Sequence, residues 1–109
     1  KGVEVYEING PYFFGAGNKF EDLMGRFGDR PKVRIIRMRK VPFIDSTGLH
    51  NLENMCLMSQ KEGITVVLSG VNEKVEAVLR RNNFHKLLGE NNICNHIDLA
   101  LARANELVA

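Results

Sequence analysis

Apolar and polar side chains alternate at the start of the chain. From Val3 to Ile8 apolar residues alternate with polar ones, which is typical of a strand with one buried face. Asn9-Gly10-Pro11 then favours a turn. The aromatic run Tyr12-Phe13-Phe14 predicts a second short strand or a buried crossing. After the glycine-rich residues 15–18, apolar residues at helical spacing predict a helix from Asn18 to Arg26.

Two further segments are apolar through most of their length, and they predict strands that are covered on both faces. The first runs from Lys32 to Met38, and the second runs from Ile64 to Ser69. Between them the pattern predicts a helix from Thr47 to Lys61, and Gly63 is suited to end it.

Helical patterns return in the last third of the chain. Asn72 is a residue type that caps helices, and the apolar face that follows it predicts a helix that Asn82-Asn83 ends. Phe84 belongs to a short apolar patch that is expected to close the core. From Ile97 a helical period continues to the end of the chain, which predicts an amphipathic terminal helix.

This order of elements predicts an α/β domain. We expect a mixed sheet of about four to five strands, with about four to five helices packed on it and right-handed crossovers between its parallel strands. A chain of 109 residues is the size of one ordinary domain with one core, so residues 1–109 are predicted to form a single unit.

Composition agrees with a folded domain and limits the choice of partner. Hydrophobic residues make up 44% of the chain and charged residues 26%, as in soluble globular proteins. A net charge of +2 is too small to indicate nucleic acid as a partner. The basic residues are nevertheless concentrated in one stretch. We favour an interpretation in which their stems cover a sheet edge and their charged ends stay in water. The alternative is a patch that faces acidic lipid headgroups or a phosphorylated ligand. The stretch contains Arg30, Lys32, Arg34, Arg37, Arg39 and Lys40.

The cysteines and histidines form no pattern with the spacing of metal ligands. Cys56 and Cys94 are far apart, and His50, His85 and His96 are scattered. Cys56 lies in an apolar helical stripe, which favours a small buried thiol. We therefore predict no metal or other cofactor, and we expect reduced, cytoplasmic surroundings. No apolar run approaches the ~20 residues that a membrane-spanning helix needs.

Three residue types that favour helix starts follow one another at Asp45, Ser46 and Thr47, and Gly48 comes next. The turn follows a strand, and sites in open α/β sheets gather at the carboxyl ends of strands. The amide N–H groups at a helix start stabilise an anion by about 0.3 to 1 kcal/mol in exposed settings. A phosphate on Ser46 or Thr47 would use these donors while bringing negative charge next to Asp45. The turn is therefore a candidate switch.

Simpler and rival interpretations of these residues exist. The residue types alone favour Asp45 and Ser46 as caps with no further function. Catalysis has weaker support, because the GxSxG pattern of a nucleophile elbow is missing and His50 is not clearly aimed at the turn. Gly15-Ala16-Gly17 lacks both the GxGxxG fingerprint and the Walker ending, which favours a tight turn over a phosphate-binding loop. We predict that the protein is not an enzyme.

Four segments together resemble the STAS domain, which anti-sigma-factor antagonists share with the cytoplasmic tails of SulP-type anion transporters. Val41 to Leu49 is similar to the family signature, and the resemblance extends over nearly the whole chain. Gly10 to Ala16 is similar to the transporter branch, whereas antagonists usually have a Gly-x-Leu/Ile-Asp pattern there. His50 stands where soluble antagonists commonly have glycine. The remaining segments are Gly63 to Gly70 and Asn91 to Ile93.

The resemblance implies a STAS fold and a non-enzymatic domain that regulates transport of a sulfate-like anion. It implies that Asp45, Ser46, Thr47 and Gly48 form a turn that binds a partner or an anion. Ser46 would be the phosphoacceptor, with Thr47 the poorer candidate. Nucleotide binding at this turn is a further option.

The same resemblance implies where the domain works and what it contacts. The partners would be the membrane domain of the transporter, a second copy in a homodimer, or a cytoplasmic regulatory protein. The location would be the cytoplasmic face of the inner (plasma) membrane. Because the chain begins at Lys1, we expect it to be excised from a longer membrane protein. The alternative is a free-standing anti-sigma-factor antagonist in a phosphorylation-controlled partner switch.

Overall fold

A computed structural model of the chain describes residues 2–9 and 31–108. The predicted second strand at Tyr12-Phe13-Phe14 and the predicted helix from Asn18 to Arg26 lie outside these residues, as do the Gly15-Ala16-Gly17 turn and Arg30.

Three parallel strands form the sheet of the described residues. β1 is Val3–Asn9, β2 is Val33–Lys40 and β3 is Thr65–Ser69, and β2 lies between the other two. The α/β class is confirmed, and the three predicted strands that fall among the described residues each lie within two residues of an observed one. The described strands are all parallel, so the mixed sheet and the larger strand count of the prediction are not found among residues 2–9 and 31–108.

Four α-helices accompany this sheet in the described part of the chain. α1 is Ser46–Lys61, α2 is Glu73–Arg81, α3 is Phe84–Leu88 and α4 is Ile97–Val108. A 3₁₀ turn at Glu90–Asn92 precedes α4. The apolar patch at Phe84 is thus a short helix, and the predicted starts of α1, α2 and α4 agree with the structure to within one residue.

The two faces of the sheet bury separate hydrophobic clusters. Ile36 and Met38 of β2 face a large cluster that includes α1, α2 and α3. Val33 and Ile35 face a smaller cluster against α4, in which Ala100 and Ala104 let the helix lie close to the sheet. Alternate residues of β2 therefore serve different cores, which explains why the strand is apolar at both parities.

Cys56 lies in the larger cluster with no exposed surface, as predicted. Burial raises the pKa of its thiol to about 12, and the nearby Glu53 carboxylate adds to this shift. The thiol is therefore neutral and unreactive in the folded protein.

The described helices include none that is both long and apolar enough to cross a membrane.

Candidate functional site

The turn from Asp45 to Gly48 connects the carboxyl end of β2 to α1. Asp45 is the residue that caps the helix, because its extended backbone precedes Ser46, the first helical residue. Its Oδ1 accepts a hydrogen bond of 2.9 Å from the backbone N–H of Gly48, and its carbonyl accepts from the N–H of Leu49 at 2.8 Å. The predicted capping role of Asp45 is confirmed, and the helix begins one residue earlier than predicted.

Exposure separates the residues of the turn into two groups. Ser46 and Thr47 are exposed, whereas Asp45 is half-buried and Gly48 is buried. Phe43, just before the turn, leaves 47% of its surface exposed although it is a large apolar residue. The outer surface of the turn therefore combines two hydroxyl groups with an aromatic ring, which suits contact with another macromolecule.

Asn72 holds the segment before the turn in place. Its Oδ1 accepts from the N–H of Val75 at 2.8 Å and so caps α2, as its residue type predicted. Its Nδ2 lies 3.2 Å from the carbonyl oxygens of both Val41 and Pro42 and donates to them. One side chain therefore joins the start of α2 to the segment that leads into the turn.

His50 has its own contact within α1. Its Nε2 lies 3.3 Å from Nδ2 of Asn54, one turn further along the helix. Among the described residues, no hydrogen bond joins His50 to Ser46, and no general base is arranged beside the hydroxyls of the turn.

The chain matches the sequence family of the STAS domain over residues 1–100. It is a STAS domain. The match covers more than nine-tenths of the chain, so the resemblance is not confined to the segment from Val41 to Leu49. The STAS domain of a transporter belongs to a non-catalytic family.

Two solved structures are similar to this STAS domain over almost its full length. A sulfate transporter family protein from Wolinella succinogenes is 45% identical, with a TM-score of 0.87 over 98% of this chain and 88% of that one. The SulP transporter STAS domain from Vibrio cholerae is 35% identical, with a TM-score of 0.89 over 100% of this chain and 87% of that one. Identities of this size over whole domains place the chain with the STAS domains of SulP transporters.

A curated relative is much longer than this chain. The putative sulfate transporter YvdB of Bacillus subtilis (strain 168) is 25% identical over 97 residues, which are 88% of this chain and 18% of the relative. The STAS domain thus spans about a fifth of that protein.

The basic residues of the STAS domain occupy places that the sequence did not reveal. The sequence favoured a sheet edge with all charged ends in water, and this interpretation is wrong on two counts. β2, which carries most of them, lies between two strands of the described sheet. Arg34 is only 2% exposed: its Nε donates to Glu4 Oε1, and its Nη1 donates to Ser59 Oγ at 2.9 Å.

On the opposite face, three cations share one carboxylate. Glu7 of β1 lies 4.0 Å from Arg37, 3.3 Å from Arg39 and 3.4 Å from Lys40. Burial alone would raise the pKa of Glu7, but hydrogen bonds and charges from Arg39 and Lys40 together lower it below its ordinary value. This end of the sheet is therefore electropositive, and the signal in the sequence was the alternation of basic residues in Arg37-Met38-Arg39.

Proposed function

We propose that this STAS domain is the cytoplasmic regulatory domain of a SulP-type anion transporter. The observation that carries the proposal is its similarity, over nearly its whole length, to a sulfate transporter family protein and to a SulP transporter STAS domain. The length of the B. subtilis relative supports a parent protein in which residues 1–109 are one domain of several. The transported anion would be sulfate or a related oxyanion, and the domain would not be an enzyme.

The turn from Asp45 to Gly48 is the proposed contact site. The exposure of Ser46, Thr47 and Phe43 supports this role, because these side chains present polar and aromatic surface together. The first partner to consider is the membrane domain of the same protein, on the cytoplasmic face of the plasma membrane. A second copy and a cytoplasmic regulatory protein would use the same surface.

Ser46 is the proposed phosphoacceptor within this turn. Its hydroxyl is exposed at the first position of α1, and no acidic residue follows in the first helical turn. Asp45 already occupies the Gly48 N–H, so an added phosphate would lie beside a carboxylate that competes for the same donors. A charge of about −2 at this place would alter the cap and the contact surface together, which is the basis of a switch.

The test is anion uptake by the full-length parent protein in proteoliposomes. We expect Ser46→Asp to change the initial rate of sulfate uptake at least about twofold, since one charge-dependent contact worth ~0.5 kcal/mol would suffice. Asn54→Asp is the matched control, because it adds the same charge on the exposed face of the same helix, away from the turn. Uptake by Asn54→Asp should equal that of the unmodified protein.

Two results would count against the proposal in different ways. A full-length parent without membrane-spanning segments would exclude a transporter and favour a free-standing antagonist, for which binding to an anti-sigma kinase would then be measured. A transporter in which both variants behave alike would keep the family assignment but remove the turn as its regulatory site.

A further inference from the structure

The carboxyl ends of β2 and β3 enclose a cavity against the start of α4. Its volume is about 220 Å³, and its walls include Arg37 and Arg39 of β2, Ser69 and Gly70 at the end of β3, and His96 and Ile97 at the beginning of α4. Open α/β sheets place their ligands at this end of the strands. The cavity lies on the α4 face of the sheet, whereas α1, which starts at the Asp45 to Gly48 turn, packs on the other face.

Ser69 is the first sign that the cavity is built for a ligand. The residue is 1% exposed, and its Oγ has no hydrogen-bond partner among the residues that the structure describes. A buried hydroxyl without a partner is costly and uncommon, so each one calls for an explanation. Because Ser69 lines the cavity, an acceptor placed there would give this hydroxyl its missing hydrogen bond.

Arg37 stands directly beside this hydroxyl. Arg37 and Ser69 are partners in the parallel register of β2 and β3, so their side chains leave the same face of the sheet next to each other. Arg39 follows on the same face of β2. The two arginines are the charged residues among those lining the cavity, and no carboxylate lines it in the part of the chain described. An anion is the ligand that this wall favours.

The backbone at Gly70 and the segment before α4 form the rest of the cavity wall. Gly70 has a φ of +69°, and a Cβ atom at this position would lie 2.9 Å from the backbone nitrogen of Arg39. Only glycine therefore lets the ends of β2 and β3 approach each other in this way. Beyond Gly70, Ile93 bridges to Leu68, Cys94 exchanges backbone hydrogen bonds with Leu68 and Val71, and His96 then lines the cavity. The positive end of the α4 dipole therefore meets the cavity.

His96 contributes at the same helix start. Its Nδ1 accepts from the N–H of Asp98 at 3.1 Å, and its carbonyl accepts from the N–H of Ala100. In the neutral ring this leaves the proton on Nε2, where it can be donated. Asp98 is exposed and lies 3.5 Å from His96 Nδ1, but it is not among the residues that line the cavity.

We propose that this cavity binds a small free oxyanion, such as sulfate or phosphate, through Arg37, Arg39, Ser69 and the start of α4. The volume is below the ~300 Å³ at which pockets for larger organic ligands begin, which favours an inorganic anion over a nucleotide. The site is distinct from the Ser46 turn and does not depend on the domain being part of a transporter.

Glu7 acts as the internal competitor of the bound anion. Its carboxylate pairs with both arginines of the cavity, at 4.0 Å and 3.3 Å, and with Lys40. Three cations paired with one carboxylate have a net positive charge, which can attract a second anion. Removing the Glu7 charge would release the arginines to that anion, so this substitution should strengthen binding.

The test is a titration of the isotopically labelled domain with sodium sulfate, followed by amide NMR shifts, with sodium chloride at equal ionic strength as the reference. We expect saturable shifts at Gly70, His96 and Ile97 with sulfate alone. Ser69→Ala should weaken binding about threefold to tenfold, as loss of one hydrogen bond to a charged group does. Arg37→Gln should weaken it about tenfold or more, and Glu7→Gln should tighten it.

Arg81→Gln is the matched control for charge. It removes one arginine from the exposed end of α2, away from the cavity, and should leave the affinity for sulfate unchanged. Equal weakening by Arg81→Gln and Arg37→Gln would overturn the proposal, because it would reduce the effect to net charge. If Arg37→Gln proves unstable, Ser69→Ala still tests the proposal. Sulfate binding that is unaltered by Ser69→Ala would also overturn it.

A vesicle experiment separates free anions from lipid headgroups, which offer the same phosphate chemistry. We expect the domain to bind free sulfate and to show no added binding to vesicles containing phosphatidate. Binding to those vesicles without any response to free sulfate would assign the arginines to a membrane surface and would refute the proposed site.

Discussion

β2 carries an arginine beside a buried serine on each of its faces, and the two pairs have opposite environments. On one face Arg34 is buried, and it donates to Glu4 and to Ser59, whose own hydroxyl donates to Met55 O at 2.9 Å. On the other face Arg37 is about a quarter exposed, it lies 4.0 Å from the Glu7 carboxylate, and the neighbouring Ser69 hydroxyl has no partner in the described structure. The polar groups of the first pair are hydrogen-bonded to one another, whereas the second pair leaves hydrogen-bond donors available to a ligand.

The comparison teaches that the same residue types serve stability or binding according to how fully their hydrogen bonds are satisfied. A buried polar network with all its hydrogen bonds satisfied stabilises one arrangement of the chain, because other packings would leave a buried charge without a partner. An incomplete group stabilises the fold less, but its unused donors are available to an anion.

The largest expected effect on stability is at Arg34 and its hydrogen-bond partners. Glu4→Ala removes the carboxylate that pairs with Nε of the buried Arg34, and we expect a loss of about 2 to 3 kcal/mol in the free energy of unfolding. This is below the ~3 to 5 kcal/mol for a fully buried pair, because the Glu4 side chain is 35% exposed. Urea denaturation measures it. Arg34→Met, which removes the charge itself, should cost less, and a larger loss for Arg34→Met than for Glu4→Ala would contradict this account.

The two serines provide a matched pair of intermediate size. Ser59→Ala removes the acceptor of Arg34 Nη1 and should cost about 1 to 2 kcal/mol. Ser69→Ala removes a buried hydroxyl that has no partner and should change the free energy of unfolding by less than ~0.5 kcal/mol in sulfate-free buffer, or raise it. Thermal melts of both variants with and without sulfate complete the test. Equal destabilisation of the two would show that Ser69 is satisfied after all.

The smallest expected effect is the acid response of Glu7. The pKa of Glu7 is lowered in the folded protein, so the folded state binds fewer protons than the unfolded state around the ordinary pKa of a glutamate. Its contribution to stability is present above that value and is lost as the pH falls through the lowered one. Glu7→Gln should therefore give a shallower loss of stability in acid than the unmodified domain, measured by urea denaturation across that pH range. Identical pH profiles would show that Arg39 and Lys40 do not lower the pKa of Glu7.

Much of the fold could be predicted because its signals are local. Alternation located β1 and apolar runs located β2 and β3. The residue types of Asp45, Asn72 and Gly63 set helix ends through hydrogen bonds within one turn of chain. Cys56 was placed correctly because a helical stripe is also a local pattern. The position of the Ser46 turn followed from the same patterns, while its function remains a proposal.

The environments of the charged residues could not be predicted, because they depend on strand register. Parity along β2 already put Arg34 and Arg37 on opposite faces, but nothing local shows that Glu4 lies beside Arg34 and Glu7 beside Arg37. Those pairings need the parallel register between β1 and β2, which brings together residues 30 positions apart. Ser59 reaches Arg34 from α1 only once that helix packs on the sheet. The cavity at Ser69 depends in addition on the return of the chain from Ile93 to His96.

The side chain of Asn72 uses the two ends of its amide for unlike tasks. Its oxygen accepts from the first turn of α2, and its nitrogen donates to two carbonyl groups before the Asp45 turn. Aspartate would keep the first task and lose the second, so hydrolysis of this one amide to a carboxylate would retain the helix cap while releasing the neighbouring segment. The polarity of a single amide thus makes the connection between α2 and the turn sensitive to the chemical ageing of the protein.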